Sequence, residues 1–140
     1  MNILLPVDGS EPSDRAARHV VALLKGCGGH RVLLINVQAP IDAPEIRSHM
    51  RASEIEAMQE TRGGDAMVSA RALLDAAGID YVPQVLLGPV AETIARFAKD
   101  NDCDQIVVGS RGLSAIGSIL TGSVTPELVA LTDLPVTLVK

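Results

Sequence analysis

Aromatic side chains are almost missing from this chain of 140 residues, which has one Phe, one Tyr and no Trp. Positive charge is scarce as well, and the net charge is −5. With little to stack on bases and no basic field, a nucleic-acid surface is not expected. Any phosphate ligand must then be held locally, by backbone donors. Only two cysteines are present, Cys27 and Cys103. They form neither a CxxC nor a zinc spacing and read as small buried or half-exposed thiols. His19, His30 and His49 pair with no second ligand by spacing, which argues against a metal site built by the protein. His19 sits with Arg15 and Arg18 on what reads as a solvated helix face.

Long apolar runs are also missing. Hydrophobic residues make up 47% of the chain, yet none of the runs approaches the ~20 residues that span a bilayer. No basic segment followed by an apolar stretch and a cleavage site opens the chain, and residues 3–7 already read as a strand. The expectation is a cytoplasmic protein without a signal peptide or membrane contact. The length suits one domain spanning residues 1–140.

What is present is alternation. Ile3 to Val7 is a short apolar run, followed by Asp8-Gly9-Ser10, a turn sequence. A helix is expected from about Glu11, with Ser10 as its cap and Pro12 in its first turn. Ala17, Val20, Val21 and Leu24 fall on one face of it. Val32 to Val37 reads as a second buried strand. A long helical stretch is expected from about Glu45 to Ala77, broken or kinked at Gly63-Gly64, with Met67, Ala70, Leu74 and Ala77 on its buried face. Residues 79–87 read as a third strand, and Pro83 suits a sheet edge. Val90, Ile94, Phe97 and Ala98 mark the next helix, Asp104 to Val108 strand four, Val124 to Leu131 a last helix and Val136 to Val139 strand five. This β-α-β-α-β-α-β-α-β order predicts a parallel sheet with helices on both faces.

The stretch from Gly109 to Thr125 carries the chemistry. It leaves strand four, contains Gly112, Gly122 and Ser123, and runs into a helix start. Unpaired N–H groups at such a start, with the helix dipole, favour an anion. Glycines without a Cβ allow a phosphate to approach the backbone, and Ser123 and Thr125 add hydroxyl donors. The same composition also suits a glycine-rich surface loop with no ligand. If the sheet order is 3-2-1-4-5, strands one and four are neighbours at the reversal of winding, and Asp8 and Gly109 face one crevice. Residues 117–123 have glycine spacing like a P-loop but lack its Lys and its place after the first strand, and GxGxxG is absent after strand one.

Gly109-x2-Gly112-x9-Gly122-Ser123 resembles the G-2x-G-9x-G-(S/T) pattern of the ATP-binding branch of the universal stress protein family. Pro6-Val7-Asp8-Gly9-Ser10, Gly88-Pro89 and Pro135-Val136 resemble the same family, so the likeness runs the length of the chain. The resemblance implies a Rossmann-like sheet (adenine nucleotide alpha hydrolase-like) of order 3-2-1-4-5 and a homodimer paired through the last strand. It implies ATP in the crevice with Mg²⁺ or Mn²⁺ held mainly by phosphates. On this likeness Pro6, Val7 and Asp8 line the adenosine, with Asp8 accepting a hydrogen bond from ribose or base, and the Val37 backbone meets adenine. Val108, Gly109, Arg111 and Gly112 surround ribose and phosphates, and Gly122, Ser123, Val124 and Thr125 hold the phosphate chain.

One departure matters. Residues 113–121 contain no Lys or Arg, a countercharge that the resemblance leads one to expect. This raises the weight of AMP, ADP or cyclic AMP as ligand. The resulting expectation is a nucleotide-binding sensor or regulator of a stress response. Slow ATP hydrolysis and a nucleotide-free dimer working through protein contacts are the alternatives.

Overall fold

The computed structural model describes residues 1–41, 44, 49–110 and 124–140. Its elements follow the chain as β1 (Asn2–Pro6), α1 (Glu11–Leu24), β2 (Arg31–Gln38), α2 (Ala52–Ala76), β3 (Tyr81–Leu87), α3 (Val90–Asp100), β4 (Gln105–Gly109), α4 (Val124–Leu131) and β5 (Val136–Val139). The five strands form one sheet in the order β3-β2-β1-β4-β5, and every pairing is parallel. The expected Rossmann-like topology is therefore present, with β3 and its Pro83 at one edge and β5 at the other.

Strand alternation divides the core in two. Ile3, Leu5, Val7, Val32, Leu34 and Val107 pack on the face covered by α1 and α2, against Val20, Met67, Ala70 and Leu74. Leu4, Leu33, Ile35, Val37, Ile106 and Val108 pack on the opposite face, against Ile94, Ala98 and Leu128 of α3 and α4. β1, β2 and β4 are apolar along almost their whole length because both of their faces are covered.

α1 begins where its sequence puts it. Ser10 is extended at φ −83°, and its Oγ accepts from the Ser13 N–H at 3.4 Å. α2 departs from expectation. It starts at Ala52 and runs unbroken through Gly63-Gly64, while residues 45–48 lie outside the described residues. Gly63 is the reason for the missing break. A Cβ there would lie 2.5 Å from Val85 Cγ1, so the bare glycine lets the helix backbone settle on β3. Tertiary packing offsets a local helix cost of about 1 kcal/mol. Ala77, expected on the buried face, is the exposed C-cap residue instead. Ile79 is not part of β3 either. Its N–H donates to the Leu74 carbonyl at 3.0 Å, closing the end of α2, and its side chain joins the core.

Candidate functional site

The winding reverses between β1 and β4, so their carboxyl ends lie side by side. Ile3 pairs with Gln105 and Leu4 with Ile106. Continuing that register sets Pro6 level with Val108 and Val7 level with Gly109. Two stretches a hundred residues apart in sequence thus meet at one sheet end.

At the end of β1, Val7 is buried and Asp8 half-buried. Asp8 Oδ1 accepts from the Ser10 N–H at 3.0 Å and from the Ser13 hydroxyl at 2.7 Å. The Asp8 N–H in turn donates to Ser13 Oγ at 3.0 Å. The carboxylate is therefore part of the turn that caps α1, and its direction is set by that helix.

β2 runs past the end of β1. Their register stops at Pro6 opposite Ile35, and the Val7 N–H donates to the Ile35 carbonyl at 2.8 Å. Backbone polar groups alternate sides along a strand, so those of Val37 point the same way as those of Ile35. The Gln38 carbonyl, accepting from the Gly88 N–H at 3.1 Å, points the other way. At Val7 the ladder gives way to a side chain, because its carbonyl accepts from Asn36 Nδ2 at 2.7 Å. Asn36 is 1% exposed, and its Oδ1 accepts from Gln38 Nε2 at 2.6 Å. This buried amide takes over the Val7 carbonyl, and the N–H and C=O of Val37 are aimed past the end of β1.

At the end of β4, Val108 is buried, and Gly109 touches the first turn of α1. A Cβ at position 109 would collide with the carbonyl of Pro12. The glycine is needed by the packing of α1 before any ligand is considered. The Ser110 carbonyl accepts from Arg15 Nη2 at 3.3 Å. Arg15 is thus not simply on a solvated face, as its neighbours in sequence imply. Its side chain is 32% exposed, and its buried Nε has no hydrogen-bond partner among the described residues.

Of the expected site residues, Pro6, Val7, Asp8, Val37, Val108 and Gly109 come together at these strand ends. Val124 and Thr125 begin α4, with Val124 packed on the second core. Arg111, Gly112, Gly122 and Ser123 lie outside the described residues, as does the stretch 117–123 compared with a P-loop. Three participants escaped the sequence reading: Ser13, Asn36 and Arg15. Asn36 left a trace, a lone amide in the run Val32-Leu33-Leu34-Ile35-Asn36-Val37. Among the described residues no group of three or more His, Cys, Asp or Glu could hold a metal ion. None of their helices is long and apolar enough to cross a membrane.

A model of the Universal stress protein family matches residues 1–140. A universal stress protein of Thermus aquaticus is 33% identical over 138 residues, covering 99% of this chain and 97% of that protein. The solved structure of MJ0577 from Methanocaldococcus jannaschii superposes with a TM-score of 0.78 at 29% identity, over 99% of this chain and 94% of that one. A family protein of Arabidopsis thaliana, solved with AMP bound, gives a TM-score of 0.71 at 19% identity, over 100% of this chain and 91% of that one.

Proposed function

The chain belongs to the universal stress protein family, and on that footing we propose that it binds an adenine nucleotide, ATP first among them, as a cytoplasmic sensor or regulator of a stress response. The observation that carries this reading is the Val37 backbone, which strand alternation aims past the end of β1 while Asn36 occupies the Val7 carbonyl. An adjacent N–H and C=O at a sheet end form a donor and acceptor pair of the kind that the edge of adenine complements. The AMP bound by the Arabidopsis thaliana relative supports the same ligand class. In this reading Pro6, Val7 and Asp8 face the adenosine, and Val108, Gly109, Arg111 and Gly112 surround the ribose and phosphates. Gly122, Ser123, Val124 and Thr125 supply donors to the phosphate chain. A Mg²⁺ or Mn²⁺ arriving with the nucleotide would take its ligands from phosphate oxygens and water.

The proposal includes a homodimer paired through β5. Leu138 on that edge is 45% exposed, and Val129 and Leu131 of the preceding α4 are 55% and 49% exposed. An apolar edge invites strand pairing. The opposite edge carries Pro83, which has no N–H to offer.

A thermal-shift series with ATP, ADP, AMP and cyclic AMP, each with Mg²⁺, tests the ligand. At a hundred times its Kd a ligand stabilises by about 2.7 kcal/mol, or on the order of 5–15 °C for a chain of this length. A shift of this size with ATP supports the triphosphate. A shift with AMP or cyclic AMP alone assigns the choice to the missing cation in residues 113–121. No shift with any of the four overturns nucleotide binding. Gly122→Val, which puts side-chain bulk where the phosphate must approach, is expected to abolish binding and leave the dimer folded.

A further inference from the structure

A cavity of about 580 Å³ opens at the carboxyl ends of β2 and β3, beside the first turns of α2. Its size falls in the range of small-molecule sites, about 300–1,000 Å³. Ile41, Met50, Ile55 and Leu87 give it an apolar wall, and Glu56 and Gln59 are its polar groups. Leu87 is 47% exposed although it ends a strand.

Gln59 is the informative residue. It is 4% exposed, and its Nε2 donates to the Ala39 carbonyl at 2.9 Å. A carbonyl only accepts, so this contact fixes which way round the amide sits. Oε1 has no hydrogen-bond partner among the described residues. Gln59 lines the cavity, so this oxygen can accept a hydrogen bond from a ligand that carries a donor. Glu56 lies one helical turn away on the same side of α2. It is the one charged side chain among the described residues that line the cavity.

We propose that this cavity binds a small apolar molecule carrying a protonated amine. The alkyl or aryl body rests on Ile41, Met50, Ile55 and Leu87. One N–H donates to Gln59 Oε1, and the ammonium pairs with Glu56. The site prefers cations, whereas the nucleotide proposed for the crevice between β1 and β4 is an anion. Resting on that reading, one chain carries two ligand sites of opposite charge preference.

The test is a titration of the ¹⁵N-labelled full chain with 4-phenylbutylamine and with 4-phenylbutyrate, an anion of similar shape. The amine is expected to move the backbone signals of Ile41, Met50, Ile55 and Leu87 and the side-chain amide of Gln59, and to saturate. The carboxylate is expected to bind about tenfold more weakly or less. Glu56→Gln should reduce that preference to about twofold, and Gln59→Leu should weaken the amine about fivefold. Should Gln59→Leu not fold, Leu87→Arg, at a half-open position, is expected to abolish amine binding. Amine binding that persists in saturating AMP supports a separate site, and displacement by AMP overturns it. Equal affinity for amine and carboxylate, signals moving at Val7 and Gly109 instead, or no saturable change also overturns the proposal. The comparison of amine with carboxylate reads out whether or not the protein binds a nucleotide.

Discussion

Asp8 and Ser13 hold each other twice across the turn that leaves β1. The Ser13 hydroxyl donates to Asp8 Oδ1 at 2.7 Å, and Ser13 Oγ receives the Asp8 N–H at 3.0 Å. Ser13 is 2% exposed, so water cannot easily replace it. Ser13→Ala is expected to cost about 1–3 kcal/mol in urea unfolding, the penalty of leaving a buried partner unpaired. It should also weaken nucleotide binding, because the carboxylate loses the contact that aims it. Unchanged affinity in a destabilised variant would assign Ser13 to folding alone.

Gly109 meets the Pro12 carbonyl so closely that a methyl group cannot enter without moving α1. Gly109→Ala should therefore lower stability by about 1–3 kcal/mol with no nucleotide present. Denaturant unfolding of the ligand-free protein decides the matter. Normal stability with lost binding would mean that the glycine serves the ligand and not the helix.

The two glycines inside α2 should behave oppositely. Gly63 faces Val85 and has no room for a Cβ, whereas among the described residues nothing lies within 4 Å of a Cβ at Gly64. Gly64→Ala is expected to stabilise by about 0.5–1 kcal/mol through helix propensity. Gly63→Ala should destabilise by about 1–3 kcal/mol through overpacking. Melting temperatures of the two variants, measured side by side, give the sign of each.

Arg15 reaches the Ser110 carbonyl at 3.3 Å and keeps a buried Nε that has no partner among the described residues. It stands at the last described residue before the glycine-rich stretch, which has no Lys or Arg at 113–121. Arg15→Met should raise the Kd for ATP by about fivefold and that for AMP by about twofold or less, because its charge acts on the outer phosphates. Isothermal titration with both nucleotides tests this. Equal losses would make Arg15 a support for the backbone only.

The two thiols should separate by reactivity. Cys27 is exposed and Cys103 buried, and burial pushes the Cys103 thiol above its ordinary range. A disulfide reagent at neutral pH is expected to modify Cys27 rapidly in the native protein and Cys103 only after unfolding. The folded Cys103 keeps its proton to a higher pH than the unfolded thiol, whose ordinary value is near 9.0. Its contribution to stability is therefore full below that pH and is lost as the pH rises through the folded value. Cys103→Ala should flatten this alkaline decline in unfolding experiments.

The sequence by itself determined the alternation of strands and helices, the two-sided burial of β1, β2 and β4, and the edge position of β3. These follow from periodicity and from proline chemistry, which are properties of neighbouring residues. It also singled out Asp8 and Gly109, which follow apolar runs and meet if the strand order is 3-2-1-4-5, while Pro6 and Val7 are named through the family likeness. Tertiary structure alone decided the rest. Gly63-Gly64 reads as a break until β3 stands close enough to make a bare backbone an advantage. Ile79 reads as strand until the end of α2 claims its N–H. Arg15 reads as solvated until β4 presents the Ser110 carbonyl to it. Asn36 passes without remark in a buried strand until Val7, twenty-nine residues earlier, needs a partner for its carbonyl. For Gly63, Arg15 and Asn36 the deciding atom comes from a distant part of the chain, so its effect cannot be seen until the sheet has assembled, whereas Ile79 is decided by the Leu74 carbonyl at the end of the neighbouring helix.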